Sequence, residues 1–250
     1  MTFEVPGDAY DRFMGRYSTR LAPLQADFAG ARGRVLDVGC GPGALTAVLV
    51  ERLGADAVVA VDPSESFVAV NRERNPGVEV LLAPAEALPF EDDAFDAAIA
   101  QLVVHFMADP VAGLAEMRRV VRDGGTVSAT VWDHGAGMGM LVPFWTAARE
   151  LDPAAKDESE LAGSRQGHLA ELFREAGLAG AEDGALEVEV AYTGFDDWWE
   201  PFLLGVGPAG GYVAGLAEDA RATLRDACRA TLPDGPFTLR ARAWAARGRA

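Results

Sequence analysis

The chain has 250 residues, is 50% hydrophobic and carries a formal net charge of −16. That apolar content supports a full core and excludes a disordered chain, while the acidic balance disfavours a nucleic-acid partner. Residues 1–8 lack the basic and apolar regions of a leader, and no apolar stretch is long enough to span a bilayer. Because the two cysteines have no metal-binding spacing, we expect a reduced, cytoplasmic protein without a metal site.

The first predicted element is an amphipathic helical segment within residues 1–33. Its apolar residues recur at helical spacing, with Gly15 as a candidate interruption: Tyr10, Phe13, Met14, Tyr17 and Leu21. Arg12, Arg16 and Arg20 occupy the opposite side; a solvated face is the simplest interpretation for Arg12 and Arg20, while Arg16 fits a solvated face and a ligand contact equally.

Strand and helix signals then alternate. Five apolar runs predict strands over Arg34–Val38, Ala57–Val61, Val78–Leu82, Phe95–Gln101 and Thr126–Trp132. The helix before the last of these is predicted over Pro110–Arg122, closed by Asp123-Gly124-Gly125. This alternation predicts an α/β fold with a doubly wound, mostly parallel sheet.

The remaining third of the chain is predicted to complete the sheet. Two more strands are expected over Leu186–Tyr192 and Thr238–Arg247, with a helical stretch over Phe195–Leu232 between them. We therefore predict one domain with seven strands and four parts: 1–33 as N-terminal helices, 34–132 as the cofactor-binding core, 133–194 with 237–250 as the rest of the sheet, and 195–236 as a helical cap inserted before the last strand.

The segment Val35–Gly43 is typical of a nucleotide-type cofactor loop. A buried strand runs into Gly39-Cys40-Gly41, where glycines allow positive φ and close backbone approach to a ligand. Asp62 ends the second strand about 20 residues later, the spacing at which an acid reaches ribose hydroxyls; a turn carboxylate is the alternative. Asp37 either fixes the shape of the loop or holds a cationic group of the ligand.

Two cofactor classes fit this loop. Gly39-x-Gly41-x-x-Ala44 satisfies the dinucleotide pattern, so an NAD(P)-dependent oxidoreductase is one alternative. Asp37 would place negative charge beside a pyrophosphate, and Pro42 removes one N–H donor from it. A sulfonium or ammonium group suits the same carboxylate.

Five segments resemble the motifs of class I S-adenosylmethionine-dependent methyltransferases, in family order: Val35–Gly43, Val61–Ser64, Ala83–Phe90, Phe95–Phe106 and Leu114–Gly125. The branch most similar to the chain is the small-molecule one that includes ubiquinone and menaquinone biosynthesis, and the specific match covers about Tyr10 to Trp132. The resemblance implies a Rossmann-like methyltransferase fold, S-adenosylmethionine as cofactor and S-adenosylhomocysteine as product.

The resemblance also implies which residues contact the cofactor. The loop backbone at Gly39 and Gly41 would hold its methionine part, Gln101 its amino group and Arg16 its carboxylate. The full set implied by the matched motifs is Arg16, Asp37, Gly39, Cys40, Gly41, Asp62, Pro63, Ser64, Ala85, Glu86 and Gln101. Asp62 would take the ribose, while Ala85 and Glu86 would lie beside the adenine.

Methyl transfer needs an aligned acceptor in a dry pocket more than it needs catalytic side chains. His105 is the candidate base, because it follows the fourth strand; it could equally pack against the cofactor, and His134 or an acid could serve instead. As a set, Tyr17, Met138, Met140, Phe144, Trp145, Trp198, Trp199 and Phe202 are expected to enclose a small apolar or aromatic acceptor, although ordinary core packing is the simpler interpretation for any single one of them. A non-catalytic S-adenosylmethionine-binding protein is the remaining alternative, and a homodimer is possible.

Overall fold

The structure, a computed structural model, describes residues 7–250. The expectation that residues 1–8 contain no leader therefore falls largely outside the described residues. The chain enters through helix α1 (Gly7–Tyr10), a π-helical turn (Asp11–Gly15) and helix α2 (Arg16–Ala29). Gly15, the expected interruption, is the last residue of the π-helical turn.

Seven strands form one sheet: β1 (Val35–Val38), β2 (Val58–Asp62), β3 (Glu79–Leu82), β4 (Phe95–Gln101), β5 (Val121–Trp132), β6 (Ala179–Tyr192) and β7 (Phe237–Arg249). Their order across the sheet is β3-β2-β1-β4-β5-β7-β6. Strands β1 to β5 pair in parallel, and β7 runs antiparallel to both β5 and β6. The predicted seven-stranded, mostly parallel α/β fold is confirmed.

Helices cover both faces of this sheet: α3 (Ala44–Leu53), α4 (Glu65–Arg74), α5 (Pro110–Val120), α6 (Leu141–Leu151), α7 (His168–Glu175), α8 (Phe195–Trp199), α9 (Gly207–Gly215) and α10 (Glu218–Thr231). Leu36 and Val38 of β1 pack in the core beneath α5 and α7. Val35, on the other face, packs in the core that α2 and α3 cover. Each face of β1 is therefore buried, as expected of a strand inside a doubly wound sheet.

Several predicted boundaries are wrong, most of all the start of β5, which is Val121 and not Thr126, and the start of β6. The helix predicted over Pro110–Arg122 ends at Val120, because Val121 already pairs with Phe95 of β4. Gly124, expected just beyond the helix, instead lies within β5 with φ +73° and donates its N–H to the carbonyl of Ala250.

Strand β6 starts at Ala179, seven residues before the predicted Leu186. Most residues of this first half are exposed on an edge strand, so they lack the apolar alternation that marks a strand in sequence. Helices α8, α9 and α10 all fall within the segment predicted as the cap; the division of the chain into four parts stays a prediction. Within residues 7–250, no helix has the length and apolar character that crossing a membrane requires.

Candidate active site

A cleft of about 260 Å³ opens at the carboxyl ends of β1, β2 and β4. Ligands of open α/β sheets bind at this edge. Most of the residues predicted to hold the cofactor line it: Gly39, Gly41, Asp62, Pro63, Ser64, Ala85, Glu86 and Gln101. Tyr10, Phe67 and Leu102 also line the cleft and were not among the predicted cofactor residues.

The Asp62 carboxylate connects the loops that follow β1 and β2. Its Oδ2 accepts the N–H of Gly41 and its Oδ1 accepts the N–H of Ser64, both at 2.9 Å. Burial raises the pKa of Asp62, and these two backbone hydrogen bonds oppose the rise. Asp62 thus acts as a carboxylate that stabilises the turn, which was the alternative to ribose binding. Each of its oxygens keeps a second lone pair that could accept a hydrogen bond from a ribose hydroxyl.

Asp37 lies outside the lining of the cleft, behind the glycine loop. Its Oδ2 accepts a hydrogen bond from the hydroxyl of Thr46 at 2.6 Å, and the hydroxyl oxygen of Thr46 in turn accepts one from the side-chain N–H of Asn71 at 3.0 Å. Asn75 donates in turn to Oδ1 of Asn71 at 2.8 Å. Burial raises the pKa of Asp37 to about 7 against the Thr46 hydrogen bond. This buried chain supports the loop-shaping role, and contact with a cationic ligand group stays a prediction.

The three loop glycines are needed for different reasons, although all have positive φ. A Cβ on Gly39 would lie 2.4 Å from Val103, and one on Gly43 would lie 2.5 Å from Nδ2 of Asn75. A Cβ on Gly41 would meet no atom within 4 Å, because this residue borders the open cleft. Gly39 and Gly43 therefore permit tight packing behind the loop, while Gly41 leaves room in front of it.

Several loop amides already have acceptors within the protein. The N–H of Cys40 donates to Val61 at 2.9 Å, that of Gly41 to Asp62, and that of Gly43 to Cys40 at 3.0 Å. Cys40 itself is buried, lies outside the lining of the cleft, and has a thiol whose pKa is raised mainly by burial. Its predicted part in cofactor binding, like that of the loop amides, stays a prediction.

Two polar residues of the cleft attach neighbouring segments to it. Glu86 accepts the N–H of Ala108 at 2.6 Å and so fixes the segment that leads to α5. Gln101 donates from Nε2 to the carbonyl of Ser18 at 3.1 Å, which joins β4 to α2. Within the described part of the chain, Oε1 of Gln101 is buried without a donor. It is the kind of acceptor that an amino group of a ligand could satisfy.

Arg16 does not line the cleft. Its guanidinium donates to Asp197 and to the carbonyl of Ala191, both at 2.7 Å, and lies 4.4 Å from the centre of the Tyr192 ring. Contact with a methionine carboxylate would require these interactions to break, so it stays a prediction that this placement does not favour.

A second cavity of about 40 Å³, which we call the inner cavity, adjoins the cleft. Tyr10, Leu102 and Phe106 line both spaces. The other residues around the inner cavity are Phe13, Met14, His105, Trp132, His134, Leu141, Glu158, Val206, Gly207 and Pro208. Leu102 has φ +63°, a strained conformation for a branched residue and one that recurs at functional sites.

His105 belongs to the inner cavity and not to the lining of the cleft. Its ring packs against Phe106 with centroids 3.9 Å apart. Burial lowers the pKa of His105 well below its usual value, with a smaller contribution from His134. The imidazole is therefore neutral at physiological pH, the form that can accept a proton, and the same burial makes it a weaker base than an exposed imidazole.

The aromatic and methionine side chains expected to enclose the acceptor pack in the core instead. All are buried in one cluster, and none lines the cleft or the inner cavity: Tyr17, Met138, Met140, Phe144, Trp145, Trp198, Trp199 and Phe202. Phe144 stacks on Phe202 at 4.6 Å, for example. Single bulky residues in a sequence do not reveal which of them face a cavity, so this expectation is wrong.

The chain is similar to known proteins over the part that builds the cleft. A family profile described as a methyltransferase domain matches residues 36–129. An uncharacterized methyltransferase of Mycobacterium tuberculosis is 40% identical over 133 residues, which cover 53% of this chain and 52% of that protein. The chain thus spans about half the length of this curated relative.

Two further similarities extend over more of the chain. A demethylmenaquinone methyltransferase of Renibacterium salmoninarum is 33% identical over 178 residues, covering 69% of this chain and 71% of the relative. The structure of a Haemonchus contortus phosphoethanolamine N-methyltransferase, solved with S-adenosyl-L-methionine, has a TM-score of 0.57 at 16% identity and covers 97% of this chain and 59% of that one. The last similarity concerns the fold alone.

Proposed function

Because this chain belongs to the family of S-adenosylmethionine-dependent methyltransferases, we propose that it transfers the methyl group of S-adenosylmethionine to a small acceptor of apolar or aromatic character. The family assignment argues against the NAD(P)-dependent oxidoreductase that the glycine pattern also allowed. The observation that carries the proposal is the cleft, where predicted cofactor residues from β1, β2 and β4 line one space.

The residues of the cleft fit this cofactor. The unpartnered Oε1 of Gln101 suits an amino group, and the remaining lone pairs of Asp62 suit ribose hydroxyls. Ala85 and Glu86 line the same cleft and would flank the adenine. When bound, S-adenosylmethionine supplies an electrophilic methyl group on a sulfonium.

The protein's own part is to align an acceptor and exclude water from it. We assign the acceptor to the inner cavity, because Tyr10, Leu102 and Phe106 line both spaces. Neutral His105 lines this cavity and remains the candidate base for an acceptor that must lose a proton.

Calorimetric titration with S-adenosylmethionine tests the cofactor site. Asp62→Ala should weaken binding by at least about tenfold, because it removes hydrogen bonds to an ionisable group that are worth about 1.5–3 kcal/mol. Asp27→Ala is the matched control, since its carboxylate pairs with Arg52 at the surface. Unchanged affinity in Asp62→Ala would remove this residue from the site.

A second assay separates catalysis from binding. With a panel of quinols, phenols and amines, we expect S-adenosylhomocysteine to form with at least one acceptor. Binding without any turnover would instead support the non-catalytic alternative.

A reduced, cytoplasmic setting is also part of the proposal and is supported by Cys40 and Cys228, which are buried free thiols. The possible homodimer stays a prediction.

A further inference from the structure

Three polar side chains meet in the otherwise apolar inner cavity. His105 and His134 follow β4 and β5, which are neighbours in the sheet, and their ring centroids lie 5.3 Å apart. Glu158 comes from the segment between α6 and α7. Each of the three is less than a tenth exposed, at 7%, 7% and 4% respectively.

Four polar atoms of these side chains are buried without a hydrogen-bond partner among the described residues. Among the residues that the structure describes, no group hydrogen-bonds to either nitrogen of His134, to Nδ1 of His105 or to Oε2 of Glu158. A buried polar group without a partner costs about 1–3 kcal/mol, and native proteins keep few of them. Several in one cavity indicate a place where a ligand supplies the missing partners.

The protonation states of His134 and Glu158 limit the chemical class of ligand that the inner cavity can bind. Burial lowers the pKa of His134 to about 4, so its neutral ring offers one N–H donor and one lone pair. Burial also raises the pKa of Glu158 to about 7, against hydrogen-bonding contributions from its own backbone N–H and from the Trp145 side chain, so its carboxyl is partly protonated near neutrality. Donors and acceptors are thus both present.

The residues that line the inner cavity disfavour an anionic ligand. Phe13, Trp132 and Leu141 line the inner cavity, and within residues 9–250 no lysine or arginine lines it. The charged groups that act on His134 are the carboxylates of Asp133 and Asp157. A carboxylate or phosphate would therefore be buried without a countercharge, which is strongly unfavourable.

We infer that His134 and Glu158, together with His105, bind the hydroxyl group of a neutral, apolar methyl acceptor. A hydroxyl both donates and accepts at one atom, as this set of partners requires, whereas an ammonium cannot accept and a hydrocarbon leaves every group unpaired. The inference rests on the proposed function, since it identifies the chemical class of the acceptor at that same site.

The cavity must widen for an acceptor larger than its 40 Å³. Val206, Gly207 and Pro208 form the wall that belongs to the segment before α9 and within its first turn. Gly205 and Gly207 have φ of +72° and +65°, so the backbone on both sides of Val206 uses conformations that glycine adopts at little cost.

Ligand-observed NMR with four matched probes tests the inference at saturating S-adenosylhomocysteine. We use 4-methylphenol, toluene, 4-methylbenzoate and 4-methylbenzylamine, which is an ammonium near neutral pH. The phenol should bind about tenfold more tightly than the other three, because toluene leaves the polar atoms unpaired, the benzoate buries a charge without a countercharge, and the ammonium donates but cannot accept. Equal affinities, tighter binding of the benzoate or benzylamine, or binding by none of the probes would overturn the inference.

Two variants test whether the preference for the phenol arises from His134 and Glu158. His134→Phe and Glu158→Leu keep the apolar volume but remove the polar atoms, so the preference for the phenol should fall to about that for toluene. His168→Phe is the matched control, because His168 begins α7 outside the inner cavity. A preference that survives in both cavity variants would contradict the assignment.

Stability gives a readout that does not depend on the probe. His134→Phe should raise the melting temperature, since the imidazole nitrogens it removes have no partner within the described residues. A lower melting temperature would show a structural role and contradict the inference. Titration of S-adenosylhomocysteine into the parent protein and each variant separates the two proposals. If the parent protein does not bind S-adenosylhomocysteine, the proposed function is wrong. If it binds S-adenosylhomocysteine but shows no preference for the phenol, only the proposed class of acceptor is wrong.

Discussion

The cleft and the inner cavity share three wall residues but differ in how many of their polar groups the protein itself satisfies. Around the cleft, Asp62, Glu86 and Asp37 each accept hydrogen bonds from the protein, and the atoms without a partner among the described residues are Oε1 of Gln101 and Oδ1 of Asp37. Around the inner cavity, His134 and Glu158 keep buried atoms for which the structure supplies no partner within residues 7–250.

This difference indicates two ways of preparing a site. A largely satisfied network stabilises the fold and holds the cleft in one shape before any ligand binds. Unpartnered groups lower stability in the free protein and are satisfied only on binding. Changes behind the cleft should therefore reduce stability, while loss of polar groups in the inner cavity should increase it.

The largest effect is expected from Gly43→Ala. The new Cβ would lie 2.5 Å from Nδ2 of Asn75 and 2.7 Å from Oδ1 of Asn71, at φ +97°. Left-handed strain of about 1–2 kcal/mol and overpacking of about 1–3 kcal/mol should add, so unfolding in urea should show a loss of about 2–5 kcal/mol. Gly30→Ala shares a left-handed backbone, with φ +62° and ψ +42°, but meets no atom within 4 Å, so it should lose only the first part. Equal losses would contradict close packing behind the loop.

Glu158→Gln should stabilise the protein in a pH-dependent way. The pKa of Glu158 rises from 4.5 to about 7 on folding, so the parent protein loses stability as the pH rises through this interval. The advantage of the variant should grow from near zero at about pH 4 to about 1–3 kcal/mol at about pH 8. Urea unfolding at both pH values measures it. A variant that is less stable at the higher pH would show that the carboxylate has a partner.

Thr46→Val should destabilise, because it removes the hydroxyl that donates to Asp37. We expect a loss of about 1–2 kcal/mol, larger at about pH 8 than at about pH 5, since the carboxylate needs this donor most when ionised. Thr130→Val is the control: its hydroxyl is equally buried but has no partner among the described residues, so its loss should be neutral or stabilising. A change in stability of the same sign in Thr46→Val and Thr130→Val would contradict the proposed difference between a hydrogen-bonded and an unpartnered hydroxyl.

Arg16→Gln should have the smallest effect. The ion pair with Asp197 is partly exposed, so its loss should cost less than about 1 kcal/mol of stability. Because Arg16 lies outside the cleft, calorimetry should give an affinity for S-adenosylmethionine within about twofold of the parent, a difference of less than about half a kcal/mol. An affinity loss above about tenfold would place Arg16 on the methionine carboxylate after all.

The parts of the structure that were predicted from sequence depend on local patterns. The loop at Gly39 and Gly41 and the acid at Asp62 lie within short motifs whose spacing determines their place at the ends of parallel strands. The parallel core was predictable for the same reason, because buried strands leave continuous apolar runs.

What the sequence could not predict depends on contacts between distant segments. Arg16 pairs with Asp197, 181 positions away, and Glu158 reaches the inner cavity from a loop without periodicity. Thr46 and Asn71 lie inside helices, where the sequence does not indicate whether a polar side chain is buried and hydrogen-bonded. The exposed first half of β6 was missed because its pairing with β7 leaves no apolar pattern.

The central claim is that the cleft binds S-adenosylmethionine through the carboxylate after β2. A crystal structure with S-adenosylhomocysteine tests it most directly. We predict ligand density between the glycine loop and Ala85, with the Asp62 carboxylate within about 3 Å of the ribose hydroxyls. An empty cleft at saturating ligand, or density at another place in the protein, would contradict the account.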